Sequence, residues 1–593
     1  MDYENHIRDQ LDFLYGPQSE QVWQEIRGII DRYLDRNDDL PSEKFQLTEK
    51  DAILITYGDQ FQSPNQSPLK SLAGFLEQNL GDAINRVHLL PFYPYSSDDG
   101  FSVIDYRRVD PNIGTWEDIQ QLSKSYELMF DAVINHISRE SDWFQAYLRG
   151  DSRCRHYFIE VDPTTDLSSV FRPRALPLFH TVETNEGRKY VWTTFSEDQI
   201  DLNFSNPQIL LEIIDLLLFY VENGARLIRL DAVGYIWKII GTSSLNLPQA
   251  HGVVKILRAV FNIAAPNTGI ISETNIPHDE NIKYFGDPAG ADDSQAKLGS
   301  GDEAQMIYQF SLAPLILHTF HTGDVTALEN WVRTLSVPYQ DSAFFNFIAS
   351  HDGIGLMPAK GLLSDEQIQA LVEKTLIHGG EASYKTNSDG TKSVYELNIT
   401  LFDALNNPAK ANSEHSVSRF IASQAIMLSL AGVPGIYVHS LLGSRNCHAC
   451  KEETGRARSI NREKFDLDQI QLQLDDKDNI HAKILEEYRR LLSIRQEQPA
   501  FHPAATQNIL ENQKHVFTLL RTSLDNQSWV LCLINISSEQ QYVVLDLNNL
   551  GINRVNKLRD LISGEDIKID DGRLHVIMSA YKIQWLFSAS ENR

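Results

Sequence analysis

Residues Gly224-Ala-Arg-Leu-Ile-Arg-Leu-Asp-Ala-Val-Gly234 form an apolar run that delivers Arg229 and, two residues on, Asp231. On a strand, positions i and i+2 share a face, so cation and anion leave the strand's C-terminal end together. An arginine that close is expected to lower the aspartate's pKa and keep it ionised, the state a carboxylate nucleophile requires. Some forty residues later, Ile270-Ile-Ser-Glu-Thr-Asn275 repeats the pattern, with a short apolar run ending in Glu273. Two carboxyl groups on neighbouring strand ends are the minimum equipment for breaking a glycosidic bond. Taken singly, each motif reads equally well as a structural ion pair and an unrelated glutamate. Their surroundings decide.

Outward from this stretch, short buried strands alternate with amphipathic helices. Strands are expected at 52–57, 87–92, 128–134, 226–230, 269–272, 306–310, 343–348 and 434–438, with helical patterns such as 210–222 and 418–430 between them. Polar residues trail nearly every strand instead of gathering at one switch point, which favours a closed parallel barrel over an open doubly wound sheet. The fold class is therefore α/β, a (β/α)8 TIM barrel over 47–498. Residues 1–46 show helical spacing (Ile7, Leu11, Leu14, then Val22, Ile26, Ile29, Ile30, Tyr33, Leu34) and read as an N-terminal helical extension. Two connections are too long for simple crossovers, 136–206 after strand three and 358–408 between strands seven and eight, and long loops at this end of a barrel shape access to a site. From 499 to 593 the pattern alternates, as in His515-Val-Phe-Thr-Leu-Leu and Gln541-Tyr-Val-Val-Leu, which predicts a C-terminal all-β domain.

Composition narrows the function. Of 593 residues, 42% are hydrophobic and 22% charged, ordinary for a soluble globular protein. A net charge of -27 argues against nucleic acid or an anionic membrane as partner. No apolar run reaches bilayer length, and the N-terminus lacks the apolar core of a signal peptide, so a cytoplasmic protein is expected. Four cysteines are too few for a disulfide scaffold of this size. Cys447-His-Ala-Cys450 lacks the second ligand pair that a tetrahedral metal site needs, and reads as two loop thiols in a reducing compartment.

Four strand-end motifs fall in chain order: Asp131-Ala-Val-Ile-Asn-His136, Arg229-Leu-Asp231, Glu273, and Ser350-His-Asp352. Upstream of them lie Asp98-Asp-Gly100 and Gln199-Ile-Asp201. The ordered set resembles the α-amylase superfamily across about residues 47 to 590. The wording is most similar to its sucrose-phosphorylase-like branch in Phe171-Arg-Pro-Arg174, Val191-Trp-Thr-Thr-Phe195, Arg229 to Tyr235, His351-Asp-Gly-Ile-Gly355, Tyr395-Glu-Leu-Asn398 and Gly455 to Arg462.

That resemblance implies reversible transfer of a glucosyl group between a small α-glucoside and inorganic phosphate with retention of configuration. Phosphate is then a co-substrate, with no cofactor and no metal, and a homodimer is compatible with the likeness. Asp231 would be the nucleophile, Glu273 the general acid/base and Asp352 the transition-state stabiliser. His136, His351 and Tyr235 would line the sugar pocket, Arg229 would align Asp231, and Asp98 with Arg458 would close its far end, Arg462 being the competing partner. Asp201 would brace the subdomain. On the acceptor side the chain departs from sucrose phosphorylases, having Glu273-Thr-Asn275 where those look like Glu-Val-His. The insertion Gly379 to Gly390 looks more like glucosylglycerate and sucrose 6-phosphate phosphorylases. Asn275, Tyr395, Lys385 and Thr386, with Ser383, Arg172 and Arg174, would then meet an anionic acceptor or phosphate.

Overall fold

The computed structural model describes residues 2–37, 43–174, 177–288, 300–386, 391–410, 415–552 and 555–588. Eight parallel strands close into a barrel: β1 (Ile53–Thr56), β2 (Arg86–Leu89), β3 (Glu127–Ala132), β4 (Ala225–Leu230), β5 (Gly269–Ser272), β6 (Met306–Tyr308), β7 (Ala343–Asn346) and β8 (Val433–Tyr437). Closure is direct, since Ile53 of β1 pairs with Gly435 of β8. Strands buried on both faces read as continuous apolar runs, which is why these segments are rich in Ile, Leu, Val and Phe. Polar residues follow the last apolar position of each strand, so they gather at the C-terminal rim.

The N-terminal extension folds as α1 (Tyr3–Tyr15) and α2 (Ser19–Arg36). Asp2 caps α1 by accepting the Asn5 N–H, and Gly16 turns the chain with φ +52. The apolar stripe of the pair (Ile7, Leu11, Val22, Trp23, Ile26, Ile30) is buried, each such side chain contributing about 1.5–3 kcal/mol against exposure. Helix α1 lies on the helix Pro248–Ala264, and α2 on the helix Pro207–Glu222. Those two helices flank β4 in the chain, so the extension buttresses the strand that carries Arg229.

After β3 the chain forms a helix (Asp142–Leu148), a hairpin (Phe179–Thr184 with Gly187–Trp192) and an antiparallel pair, His136–Ser138 with Gln199–Asp201. Asp201 accepts from the Thr194 backbone N–H, its hydroxyl, Asn135 and Lys238, a buried brace inside this subdomain. Between β7 and β8 a helix (Asp365–Ile377) leads to the hairpin Glu381–Thr386 and Lys392–Asn398, which pairs with Ile354–Gly355 just past β7. Residues 387–390 of that insertion lie outside the described residues, as does the Thr386 side chain.

Eight antiparallel strands, from Thr506–Ile509 to Ile583–Phe587, make the C-terminal sheet. Alternation along its strands sends Phe517, Leu519, Cys532 and Trp585 to the barrel and Val516, Leu531, Leu533 and Leu586 to a core of its own. Polar bonds knit the joint. Arg521 donates to the carbonyls of Ser429 and His502. The fully buried Arg495 reaches Asp51 at 3.1 Å, Phe501 at 3.1 Å, and Leu428 and Gly432 at 3.3 Å each. Among the described residues no helix is long and apolar enough to cross a membrane.

Arg495→Met preserves bulk but strips donors from several buried carbonyls, each worth about 1–3 kcal/mol when left unsatisfied. Its midpoint of urea unfolding should fall by at least about 3 kcal/mol-equivalent relative to the parent, whereas the same change at the exposed Arg188 should move it little. Equal midpoints for both variants would contradict the role given to Arg495.

Candidate active site

The register of the barrel sets the site. Asp131 on β3 pairs across with Arg229 on β4, so the two side chains share one layer of the barrel. One residue beyond each strand the ladder continues, with the Asp231 N–H on the Ala132 carbonyl and the Glu273 N–H on the Leu230 carbonyl, both at 3.1 Å. The chain then turns sharply at Ala232, held at φ +48. That left-handed conformation is uncommon for a residue with a side chain and marks a backbone held by its surroundings. It points the Ala232 N–H at Glu273 Oε2, 2.9 Å away.

Arg229 is the hub. It is 2% exposed, lies 5.6 Å and 5.4 Å from the ring centres of Phe101 and Tyr308, and places Nη1 on Asp131 and on Asp231 Oδ1, the latter at 2.9 Å. Its Nη2 is 3.8 Å from Glu273 Oε2. A single guanidinium therefore spans the two carboxyls singled out in the sequence, and both line one cavity at the rim. Asp352 and His351 from the segment after β7, and His136 after β3, line the same cavity.

The electrostatics differ from one carboxyl to the next. Burial pushes Asp231 up to about 8 against the pull of Arg229, with Glu273, Asp131 and Asp352 adding to the rise. Glu273 is raised as well, by burial first and then by Asp352 and Asp131, with Arg229 and the Ala232 N–H opposing. The expectation that Arg229 would leave Asp231 with a lowered pKa is thus corrected, because desolvation and three neighbouring carboxylates outweigh one cation. With both carboxyls raised and facing the same guanidinium, the pair favours holding one proton, and Asp231's shorter contact to Arg229 favours Glu273 as the holder. Asp352 behaves oppositely: despite burial, the guanidiniums of Arg458, Arg462 and Arg229 hold it ionised. Burial drives His351 down to about 3, so its ring is neutral. His351 Nδ1, itself buried, has no partner. His136 is less free, since Nε2 meets the Phe101 carbonyl at 2.8 Å and Nδ1 meets Asn135.

Other positions fall differently from the sequence reading. Asp98 and Arg458 both line the cavity, yet they do not pair. Asp98 bonds Arg174 at 3.1 Å, and Arg462 bonds Asp99. Arg458 is held between Asp352 at 2.5 Å and Glu396, whose two oxygens lie at 3.0 and 2.8 Å. The cause is local: Asp98 and Asp99 both sit at positive φ, 57 and 50, so adjacent carboxylates point apart. Tyr235 does not line the cavity; its ring stands edge-on to that of Phe195, which does. Lys385 also misses the cavity and its mouth, its ammonium lying 4.8 Å from the Phe171 ring centre; it follows an irregularity in the ladder between Ser383 and Tyr384 that breaks the strand's alternation. Arg172 lines neither the cavity nor its mouth, whereas Arg174 and Tyr395 line both, and Asn275 lines the inner cavity.

Sequence reasoning missed Glu396, a buried acid quoted only as part of a motif, and Asp131 as the counter-ion of Arg229. Asp131 was findable: a carboxylate inside an apolar strand demands a buried cation. Cys447 and Cys450 are joined in a disulfide rather than present as thiols, since a C-x-x-C spacing at a helix start brings the two sulfurs together whatever the compartment. Among the described residues no group of three or more His, Cys, Asp or Glu side chains is arranged to hold a metal ion.

Comparison with known proteins adds to this geometry. The family model described as alpha amylase, catalytic domain, matches residues 57–353. The glucosylglycerate phosphorylase of Allomeiothermus silvanus is 49% identical over 507 residues, covering 85% of this chain and 88% of that protein. The glucosylglycerate phosphorylase of Spirochaeta thermophila is 46% identical over 529 residues, covering 88% and 87%. Among solved structures, sucrose 6F-phosphate phosphorylase from Thermoanaerobacter thermosaccharolyticum shares the fold, with a TM-score of 0.70 at 24% identity over 84% of this chain and 96% of that one.

The shared proton is open to measurement. The infrared difference between the protein and a variant carrying both Asp231→Asn and Glu273→Gln should show a protonated-carboxyl band at neutral pH that is lost as pH rises. A difference spectrum with no such band at neutral pH would show the pair fully ionised.

Proposed function

The chain belongs to the α-amylase family, and from that premise we propose that it is a retaining α-glucosyl phosphorylase. It moves a glucosyl group between a small α-glucoside, glucosylglycerate before others, and inorganic phosphate, giving α-glucose 1-phosphate. One observation carries the reading: two carboxyls from successive strand ends share one buried guanidinium in one cavity, with the closer contact on Asp231.

Asp231, ionised beside Arg229, attacks the anomeric carbon as the bond to the acceptor oxygen breaks. Glu273 passes its proton to that oxygen. In the second half, an oxygen of phosphate attacks the same carbon, its proton returns to Glu273, and the carboxylate of Asp231 departs. Two inversions leave the configuration unchanged. Asp352 remains negative throughout and stabilises the cationic character of the ring in both transition states. His351, neutral, lines the sugar pocket beside Asp352.

The acceptor side suits something small. Asn275 sits against Gly355, where an added Cβ would come within 3.0 Å of Asn275 Nδ2. Its buried Oδ1 has no partner, so an acceptor hydroxyl gains a bond there that nothing in the protein supplies. Arg174 and Tyr395 stand at the mouth for a carboxylate or phosphate. The relatives named above bear their names for glucosylglycerate, which puts glycerate ahead of fructose, fructose 6-phosphate and glycerol. A phosphate-consuming enzyme fits the cytoplasm, where the Cys447–Cys450 disulfide would meet reducing thiols.

Purified protein incubated with phosphate and, in turn, glucosylglycerate, sucrose, sucrose 6-phosphate and glucosylglycerol should release glucose 1-phosphate, fastest from the first. No glucose 1-phosphate from any of them removes the reading, and glucose released at a rate indifferent to phosphate would make the protein a hydrolase. Asp231→Asn should lose on the order of 10⁴-fold or more in kcat. Glu273→Gln should lose about 10²–10⁴-fold on an ordinary glucoside, and much less on one whose leaving group needs no proton.

A further inference from the structure

Behind Arg229 lies a buried group that the mechanism does not use. His88 on β2 is fully buried and puts Nε2 2.6 Å from Asp131 Oδ2. Its Nδ1 has no partner. An imidazolium there would bury an N–H with nothing to receive it, so the ring is neutral and donates its single proton from Nε2 to Asp131. The other oxygen of Asp131 takes Arg229 Nη1, the same nitrogen that holds Asp231. Four successive strands are linked in this way, by His88, Asp131, Arg229 and the pair Asp231 with Glu273.

We propose that His88 and Asp131 form a positioning pair behind Arg229. By keeping Asp131 ionised, His88 fixes how much of the guanidinium's charge is left for Asp231 and Glu273, and so sets the pH window in which those two hold one proton. The inference rests on the phosphorylase reading above for its assay.

The charged surroundings are few. Facing Asp131 are Arg229, His88 and the neutral His351. Facing Asp231 and Glu273 are Arg229, Asp131 and Asp352, and Tyr308 faces Arg229. Of the carboxylates on Arg229, Asp131 alone is fully buried and lies outside the cavity wall, so no ligand titrates or displaces it. Its charge depends on the two donors it has. Taking away the His88 donor leaves one oxygen of a wholly buried carboxylate bare, and a carboxyl so placed takes up a proton. Arg229 then has one fewer anion to balance, and its charge falls more fully on Asp231 and Glu273. Both release protons at lower pH.

The test is the pH dependence of kcat/KM for phosphorolysis in four proteins. Against the parent, His88→Leu should move both limbs of the profile toward acid by about one pH unit. Asp131→Asn, which removes the same negative charge with no change of shape, should move them likewise. His88→Gln, which can still offer an N–H to Asp131, should keep the parent's limbs even if its rate is lower. Limbs that stay in place in Asp131→Asn, or in a folded His88→Leu whose activity merely drops, overturn the proposal. So does His88→Gln moving as far as His88→Leu. If His88→Leu does not fold, Asp131→Asn against the parent decides. A parent protein that forms no glucose 1-phosphate would instead sink the phosphorylase reading.

Discussion

A guanidinium closed inside a protein barrel is an expensive object unless anions surround it, and the centre of this molecule is arranged around one. Arg229 touches Asp131 and Asp231 and approaches Glu273, with the rings of Phe101 and Tyr308 close by. Its position dictates theirs. The three acids come from the ends of three adjacent strands because a planar cation with several donors can satisfy all of them at once only from the middle strand. The raised pair and the fully ionised Asp352 follow from the same placement, since Asp352 has arginines of its own at the rim and the pair shares a single one.

The remainder of the fold keeps that centre fixed. Helices α1 and α2 lie over the two helices that flank β4 in the chain, so the strand carrying Arg229 is backed by two layers. Arg495, on the helix Ile480–Gln496, ties together carbonyls beside β1 and β8, and Arg521 of the C-terminal sheet holds the Ser429 carbonyl. The subdomain after β3 is held by Asp201, and the insertion after β7 by its strand pairing with Ile354–Gly355.

What the sequence made legible was whatever local pattern dictates. Eight short apolar runs followed by polar residues imply a parallel barrel, and Asp231, Glu273 and Asp352 lie at strand ends whose direction the alternation fixes. The misreadings concern residues whose partners are set by loop conformation. Asp98 and Asp99 are neighbours in the chain, yet left-handed backbone turns them toward Arg174 and Arg462 respectively, and no periodicity foretells that. Lys385 is in the expected hairpin but packs on Phe171, past a ladder irregularity between Ser383 and Tyr384 that sequence alternation does not foretell. The lowered pKa expected for Asp231 failed for another reason. An i, i+2 arginine is visible in sequence, whereas the burial and the converging acids that oppose it are properties of the closed barrel.

Arg458 has a kinetic meaning that goes with its two partners. It holds Asp352 with one nitrogen and grips Glu396 with two others, and Glu396 belongs to the hairpin inserted after β7. A sugar hydroxyl reaching for Asp352 therefore competes with an internal occupant already in place. Part of each ligand's attraction is consumed in exchanging one ion pair for another, which keeps ground-state affinity modest. Through that one side chain the inserted hairpin and the segment after β7 are joined at the cavity they both line.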